Sequence, residues 1–172
     1  MILLLFLFPF HLVASAQKGG SNNEFGLGSG EIKITADNLI ANSKENSAEF
    51  SGNVKAVQKD TVITSDRLKI FFKSGTDNNK ENPDPDALQK IVITGNVEIK
   101  FDKRVAVTQE AVYITQGKRL VLKGPNTKIT SGKDTITGEK ITLFRDTGRV
   151  QVEGSRANRV EAIIYPGEKK EE

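Results

Sequence analysis

The chain has 172 residues, with 25 basic and 22 acidic side chains, a net charge of +3, one histidine and no cysteine. That length suits a single domain able to bury a core without covalent staples, and the missing thiols exclude disulfides, thiolate metal sites, cysteine catalysis and lipid attachment to an N-terminal cysteine. No basic run interleaves with aromatic residues, which leaves nucleic acid without a footprint.

Ile2 to Val13 is an apolar run of about a dozen residues, short of the ~20 needed to span a bilayer. Ala14-Ser15-Ala16 follows as a small-x-small cleavage pattern before Gln17. Residues 1–16 therefore read as a secretory signal peptide, although no Lys or Arg precedes the apolar run. An uncleaved membrane anchor is the competing reading, and the shortness of the run argues against it. His11, the lone histidine, departs with this segment, and the mature chain keeps no imidazole for metal binding or base catalysis. Residues 17–30, rich in Gly, Ser and Asn, read as a flexible N-terminal arm.

From residue 31 the period of the sequence is two. Ala48, Phe50, Gly52, Val54 and Ala56 share one face against Glu49, Ser51, Asn53 and Lys55; beyond the turn Gln58-Lys59-Asp60, Thr61, Ile63 and Ser65 continue in phase, and Leu68, Ile70 and Phe72 close the unit. Residues 74–87 hold two prolines and no apolar residue before Ala87, and read as a polar loop insertion. Past it, Ile91, Ile93, Val97, Ile99 and Phe101 line one side of a long strand, and Val105, Val107, Val112 and Ile114 are expected to join them. Short strands are predicted at 31–36, 38–42, 47–57, 61–66, 67–73, 89–101, 104–109, 111–115, 119–123, 126–130, 134–138, 140–144, 148–153 and 158–165, linked by tight turns. No amphipathic helix stands out, and residues 167–172 form a charged tail. The domain expected over 31–166 is thus all-β and antiparallel.

Two markers recur along it. A Gly closes an apolar strand at Gly52, Gly95, Gly124 and Gly154, with spacings of 43, 29 and 30 residues; an acidic residue ends a β-run at Asp37, Asp66, Glu110 and Glu139, with spacings of 29, 44 and 29. Subtracting roughly 14 loop residues from the long intervals leaves a common period near 30, the mark of stacked supersecondary units. The four acids are the available candidates for acid–base work on a sugar. Because they keep the symmetry of the repeat, they are expected to be strand-end turn residues facing solvent. With no phosphate loop, nucleophile elbow or metal-spaced cluster, the expectation is a protein without catalytic residues, metal or cofactor.

Apolar faces such as these either pack against each other as a closed core or leave a gap for a hydrophobic guest, and the residues by themselves do not choose. The segments at 34–39 (ITADNL), 48–56 (AEFSGNVKA) and 62–70 (VITSDRLKI), with ITGNV at 93–97, ITGEKIT at 136–142 and a closing strand ending at Tyr165-Pro166, resemble the OstA-like domain of the LptA family of periplasmic lipopolysaccharide carriers. The likeness runs over residues 31–166. It implies a V-shaped, open-ended β-jellyroll in the periplasm of a Gram-negative envelope, binding the lipid A acyl chains of lipopolysaccharide. The implied partners are copies of itself, head to tail, and the inner-membrane-anchored and outer-membrane-translocon proteins that carry the same jellyroll. On this resemblance the acyl groove is lined by the residues assigned to the inward phase: Phe50, Ile63, Leu68, Ile70, Phe72, Ile93, Val97, Ile99, Phe101, Val107, Ile136 and Ile141. Docking edges are expected at 31–36 and 159–165. A scaffold β-repeat protein with a closed core and no ligand is the alternative, and a polysaccharide-acting enzyme a third. If residues 1–16 are a signal peptide, N-terminal sequencing of the exported protein begins at Gln17; an intact Ile2–Val13 segment recovered from the membrane fraction would refute the cleavage.

Overall fold

The structure is a computed structural model and describes residues 31–73 and 87–166. The readings of residues 1–16, 17–30, nearly all of 74–87 and 167–172 lie outside the described residues. Ten strands form one antiparallel sheet: β1 (Lys33–Thr35), β2 (Asn38–Asn42), β3 (Ser47–Gln58), β4 (Thr61–Phe72), β5 (Leu88–Phe101), β6 (Arg104–Ile114), β7 (Arg119–Ser131), β8 (Asp134–Phe144), β9 (Val150–Glu153) and β10 (Glu161–Ile163). The ladder runs β1-β3-β4-β5-β6-β7-β8-β10, with β2 also on β3 and β9 also on β8. Tight hairpins make this up-and-down order possible. Between the paired residues Phe101 and Arg104, Asp102 (φ 44) and Lys103 (φ 62) both adopt the left-handed conformation that a two-residue turn of matching twist needs.

The strands are longer than the sequence predicts. The predicted pairs 61–66 with 67–73, 104–109 with 111–115, 119–123 with 126–130 and 134–138 with 140–144 are each one continuous strand. What reads as a break is a β-bulge. Register shifts fall between Ser51 and Val54, Thr64 and Arg67, Thr94 and Val97, Val107 and Glu110, and Lys123 and Thr127, so they form one row across the sheet. Bulges bend a strand and sharpen its twist; a row of them creases the whole sheet.

The repeated residues build this crease. Gly52 (φ 79) and Asn53 (φ 47), like Gly95 (φ 78) and Asn96 (φ 47), are consecutive left-handed residues. Asn53 donates its side-chain N–H to Asp37 Oδ2 at 2.8 Å, and Asn96 donates to Asp66 Oδ2 at 2.9 Å. A Cβ on Gly52 or Gly95 would collide with the Asp37 or Asp66 carboxylate, respectively. Two of these acids are therefore not strand-end residues. Asp66 and Glu139 lie within β4 and β8, Asp37 sits at the junction of β1 and β2, and all belong to the crease. Glu110 is not their equivalent: Gln109 is the residue packed against Gly124, and Glu110 lies one place on, 3.7 Å from Lys123. At the far end Glu139 accepts from Ser155 Oγ (2.7 Å) and Asn158 Nδ2 (3.0 Å). These two bonds hold its carboxyl below the usual carboxylate range. A carboxylate so depressed adds stability above its unfolded pKa and loses it as pH falls through the folded one.

The crease divides the sheet into two arms. Arm A contains β2, β9 and the halves of the long strands at 47–51, 67–72, 88–94, 110–114, 119–123 and 140–144; arm B contains β1, β10 and the halves at 54–58, 61–65, 97–101, 104–108, 127–131 and 134–138. On the inward face, Ile93, Ala111, Leu122 and Ile141 of arm A and Ile63, Val97, Ile99 and Ala106 of arm B are 0–1% exposed and belong to one apolar cluster. A single sheet without a helix among the described residues can cover that face only by folding its arms onto each other, about 10 Å apart. Outward, Lys69 pairs with Glu45 at 3.0 Å and Lys140 with Glu153 at 2.7 Å. Such exposed ion pairs are worth about 0–1 kcal/mol each.

Gly95→Ala therefore meets two penalties, a left-handed backbone and the Asp66 carboxylate, whereas at Gly132 (φ 59) a Cβ meets nothing within 4 Å. Urea unfolding is expected to show Gly95→Ala costing about 3 kcal/mol or more and Gly132→Ala about 1 kcal/mol. Equal losses would remove the crease clasp from this account.

Candidate ligand trough

The two arms face each other across the crease, and the hairpin turns form their outer lips. Of the residues assigned to an acyl groove, Ile63, Leu68, Ile93, Val97, Ile99, Phe101 and Ile141 are buried to 2% exposure or less. Phe50 and Ile70 are half-buried against that cluster, Ile136 is half-buried beside Ala162 of β10, and Phe72 is exposed at the end of β4. Val107 lies on the opposite face. It pairs with Glu98 and Lys128 and is 41% exposed, while Ala106 and Thr108 point inward.

The same correction applies to the whole of β6. Its inward residues are Ala106, Thr108, Ala111 and Tyr113, and Val105, Val107, Val112 and Ile114 face out. Ala106 sits between Ile99 and Ile129, and Ala111 between Ile93 and Leu122, so small residues of β6 fill the inward row beside bulky neighbours, and the β-branched residues suit the outer sheet face. Bulkier inward residues left out of the assignment are Leu120, Leu122, Ile129 and Leu143. The alternation Leu120-Val121-Leu122 carried the signal for two of them.

The Thr108 and Thr127 hydroxyls beside the crease are hydrogen-bonded. Thr108 Oγ1 lies 2.7 Å from Lys123 O and 2.9 Å from Thr127 Oγ1, and Thr127 donates in turn to Gly124 O at 2.9 Å. These bonds take up backbone and hydroxyl groups freed by the bulge, which would otherwise cost about 1–3 kcal/mol each. Along β4 to β8 the inner faces meet as packed apolar surfaces. A guest reaches Ile93 or Ile99 only where the arms part.

Both ends of the trough remain open to pairing. β1 and β2 bond only β3, and β9 and β10 only β8, so their outer backbone edges have no strand beside them among the described residues. Apolar side chains stand exposed there: Leu39 (58%) and Ile40 (66%) at one end, Ile164 (69%) and Tyr165 (57%) at the other. The expected edges at 31–36 and 159–165 are each only half of an edge; the crease splits both, so β2 extends the first and β9 the second.

Residues 33–149 match the family described as LptA/(LptD N-terminal domain) LPS transport protein. An uncharacterized protein of Rhizobium meliloti (strain 1021) is 27% identical over 140 residues, covering 81% of this chain and 73% of its own. Among solved structures, the crystal structure of LptH, the LptA homologous periplasmic component of the conserved lipopolysaccharide transport device from Pseudomonas aeruginosa, superposes with a TM-score of 0.64 at 18% identity, covering 79% of this chain and 96% of that one. The creased antiparallel sheet is thus the LptA-like jellyroll fold. With the family match spanning well over half its length, this chain belongs to the LptA/LptD N-terminal domain family of lipopolysaccharide transport proteins.

Proposed function

We propose that this protein is a periplasmic lipopolysaccharide carrier that holds lipid A acyl chains between its two arms and stacks head to tail into a bridge between the membranes. It performs no chemistry of its own. The observation that carries the reading is the pairing of a continuous apolar inner face with two open, dissimilar edges at the ends of the sheet. Exposing one methylene to water costs about 0.8 kcal/mol, so a chain of about a dozen carbons needs on the order of 10 kcal/mol to cross an aqueous compartment unprotected. A trough that continues from one copy into the next removes that barrier. The domain is residues 31–166, exported by the segment 1–16, and its other partners are membrane-bound proteins with the same jellyroll. The LptH structure, described as a periplasmic component of a lipopolysaccharide transport device, supports this placement.

The packed interior of β4 to β8 favours a second reading, a scaffold with a permanently dry core. Photo-crosslinking separates the two. Crosslinkers at Phe72, Ile70 and Ile136, at the margins of the trough, are expected to capture lipopolysaccharide in cells, and those at Ser51, Lys69, Lys100 and Val107, on the outer face, are not. Capture at neither set would favour the scaffold; equal capture at both would overturn the assignment of faces.

Stacking has its own test. Tyr165 N–H points toward β8, donating to Asp134 Oδ1 at 2.8 Å, so by alternation the N–H of Ile164 points away from β8 to the open edge. Ile164→Pro removes that outward donor and leaves the β8 ladder intact. The contact joins two different edges and does not close on itself, so light scattering of the wild type is expected to show oligomers growing with concentration, and Ile164→Pro shorter ones. A wild type that stays monomeric at high concentration would reduce the bridge to a soluble shuttle.

A further inference from the structure

The two ends of the sheet differ in what holds them. At the first end Ile32, Ile34 and Ala36 pack against the apolar cluster, and Asp37 N–H donates to Gly52 O at 2.9 Å. At the other end, every residue from Gly154 to Pro166 is exposed and none of them joins that cluster. β9 is still seated by the half-buried Val152 and by Lys140 on Glu153. Beyond it, a cavity of about 520 Å³ is lined by the segment from Ala157 to Glu161 together with Thr137 and Gly138. Side-chain packing therefore gives the crossing from β9 to β10 little support.

What fixes this segment is polar. β10 pairs with β8 over three residues, from Glu161 opposite Thr137 to Ile163 opposite Thr135. Two carboxylates of β8 flank that short ladder. Upstream, Glu139 accepts from Ser155 Oγ at 2.7 Å and Asn158 Nδ2 at 3.0 Å, and the two donors are closed into one turn by Ser155 N–H on Asn158 O at 2.8 Å. Downstream, Asp134 Oδ1 accepts the Tyr165 N–H at 2.8 Å, with Lys133 Nζ 5.9 Å from the Tyr165 ring. Hydrogen bonds to an ionised acceptor are stronger than neutral ones, and a segment with few apolar contacts is the first to open. Resting on the head-to-tail reading given above, we propose that the C-terminal docking edge is conditional: Glu139 and Asp134 latch residues 155–165 onto β8, and opening the latch withdraws the arm B half of that edge from assembly. Glu139 is the positioning residue of the latch. The N-terminal edge, seated on the core, carries no such condition, so growth of a stack is controlled at one end.

The test uses the full exported chain and reads hydrogen exchange first, at a dilution where no oligomers form. By alternation from Tyr165, the N–H groups of Glu161 and Ile163 face β8. Glu139→Ala is expected to speed exchange at these two amides at least tenfold, as the loss of hydrogen bonds to a charged group implies, and to leave β1 and β9 unchanged. Ser155→Ala removes one of the two donors, carries the test where Glu139→Ala fails to fold, and is expected to act in the same direction. At high concentration, light scattering is expected to show shorter oligomers for Glu139→Ala than for the wild type. Ala162 and Ile136 face each other as a non-hydrogen-bonded pair, about 4.5 Å apart between Cα atoms and within reach of a disulfide, and the chain has no cysteine of its own. Adding Ile136→Cys and Ala162→Cys to the Glu139→Ala chain is expected to restore wild-type oligomers when oxidised and not when reduced. Unchanged exchange at Glu161 and Ile163 in both latch variants would overturn the latch. Faster exchange with oligomers of wild-type size, or oligomers that stay short with the disulfide closed, would overturn its link to assembly and leave stacking itself standing. A wild type that forms no oligomers would overturn the stacking reading and the conditional edge with it.

Discussion

Everything in this fold depends on the row of bulges that turns one sheet into two facing arms. Without it, an antiparallel sheet of this width keeps one apolar face in water. Each bulge needs backbone that only glycine, and to a lesser degree asparagine, adopts at small cost. The Gly-Asn pairs at 52–53 and 95–96 supply it, and the Asp37 and Asp66 carboxylates fasten the neighbouring strand to it. The fastening changes along the row: between β6 and β7, Gln109 and the Thr108–Thr127 hydroxyl pair replace the carboxylate clasp, and at the far end Glu139 holds the segment that crosses from β9 to β10.

Closure of the arms and openness of the edges serve opposite needs. The buried side chains between β4 and β8 stabilise the fold through apolar area withdrawn from water, about 25 cal/mol per Å². The outer strands forgo such cover and leave Leu39, Ile40, Ile164 and Tyr165 in solvent. Long bare edges are an aggregation hazard that most proteins blunt. Here they are short and each is interrupted by the crease, which limits unspecific pairing.

The alternation of apolar and polar residues made the all-β, antiparallel character legible, along with most of the inner face of β3, β4 and β5. It failed where the structure departs from simple alternation. The Gly and acid series were visible in the sequence, yet a bulge and a turn use the same residues, and four long strands were read as eight short ones. The inversion of β6 has a packing cause: hydrophobicity ranks Val107 above Ala106, whereas the inward place between the bulky Ile99 and Ile129 is taken by the smaller side chain.

The hairpin order of β3 to β8 has a consequence for how the chain acquires its structure. Each of these strands bonds the ones beside it in sequence, so loop closure is short at every step apart from the connection between β4 and β5. Folds built from such near-neighbour pairings cross lower entropic barriers than sandwiches whose strands pair at long range. A chain that emerges unfolded into a compartment can then zip up hairpin by hairpin, and the trough grows by one inward row with each strand added. Gaining or losing one hairpin would lengthen or shorten that inward row without reordering the strands.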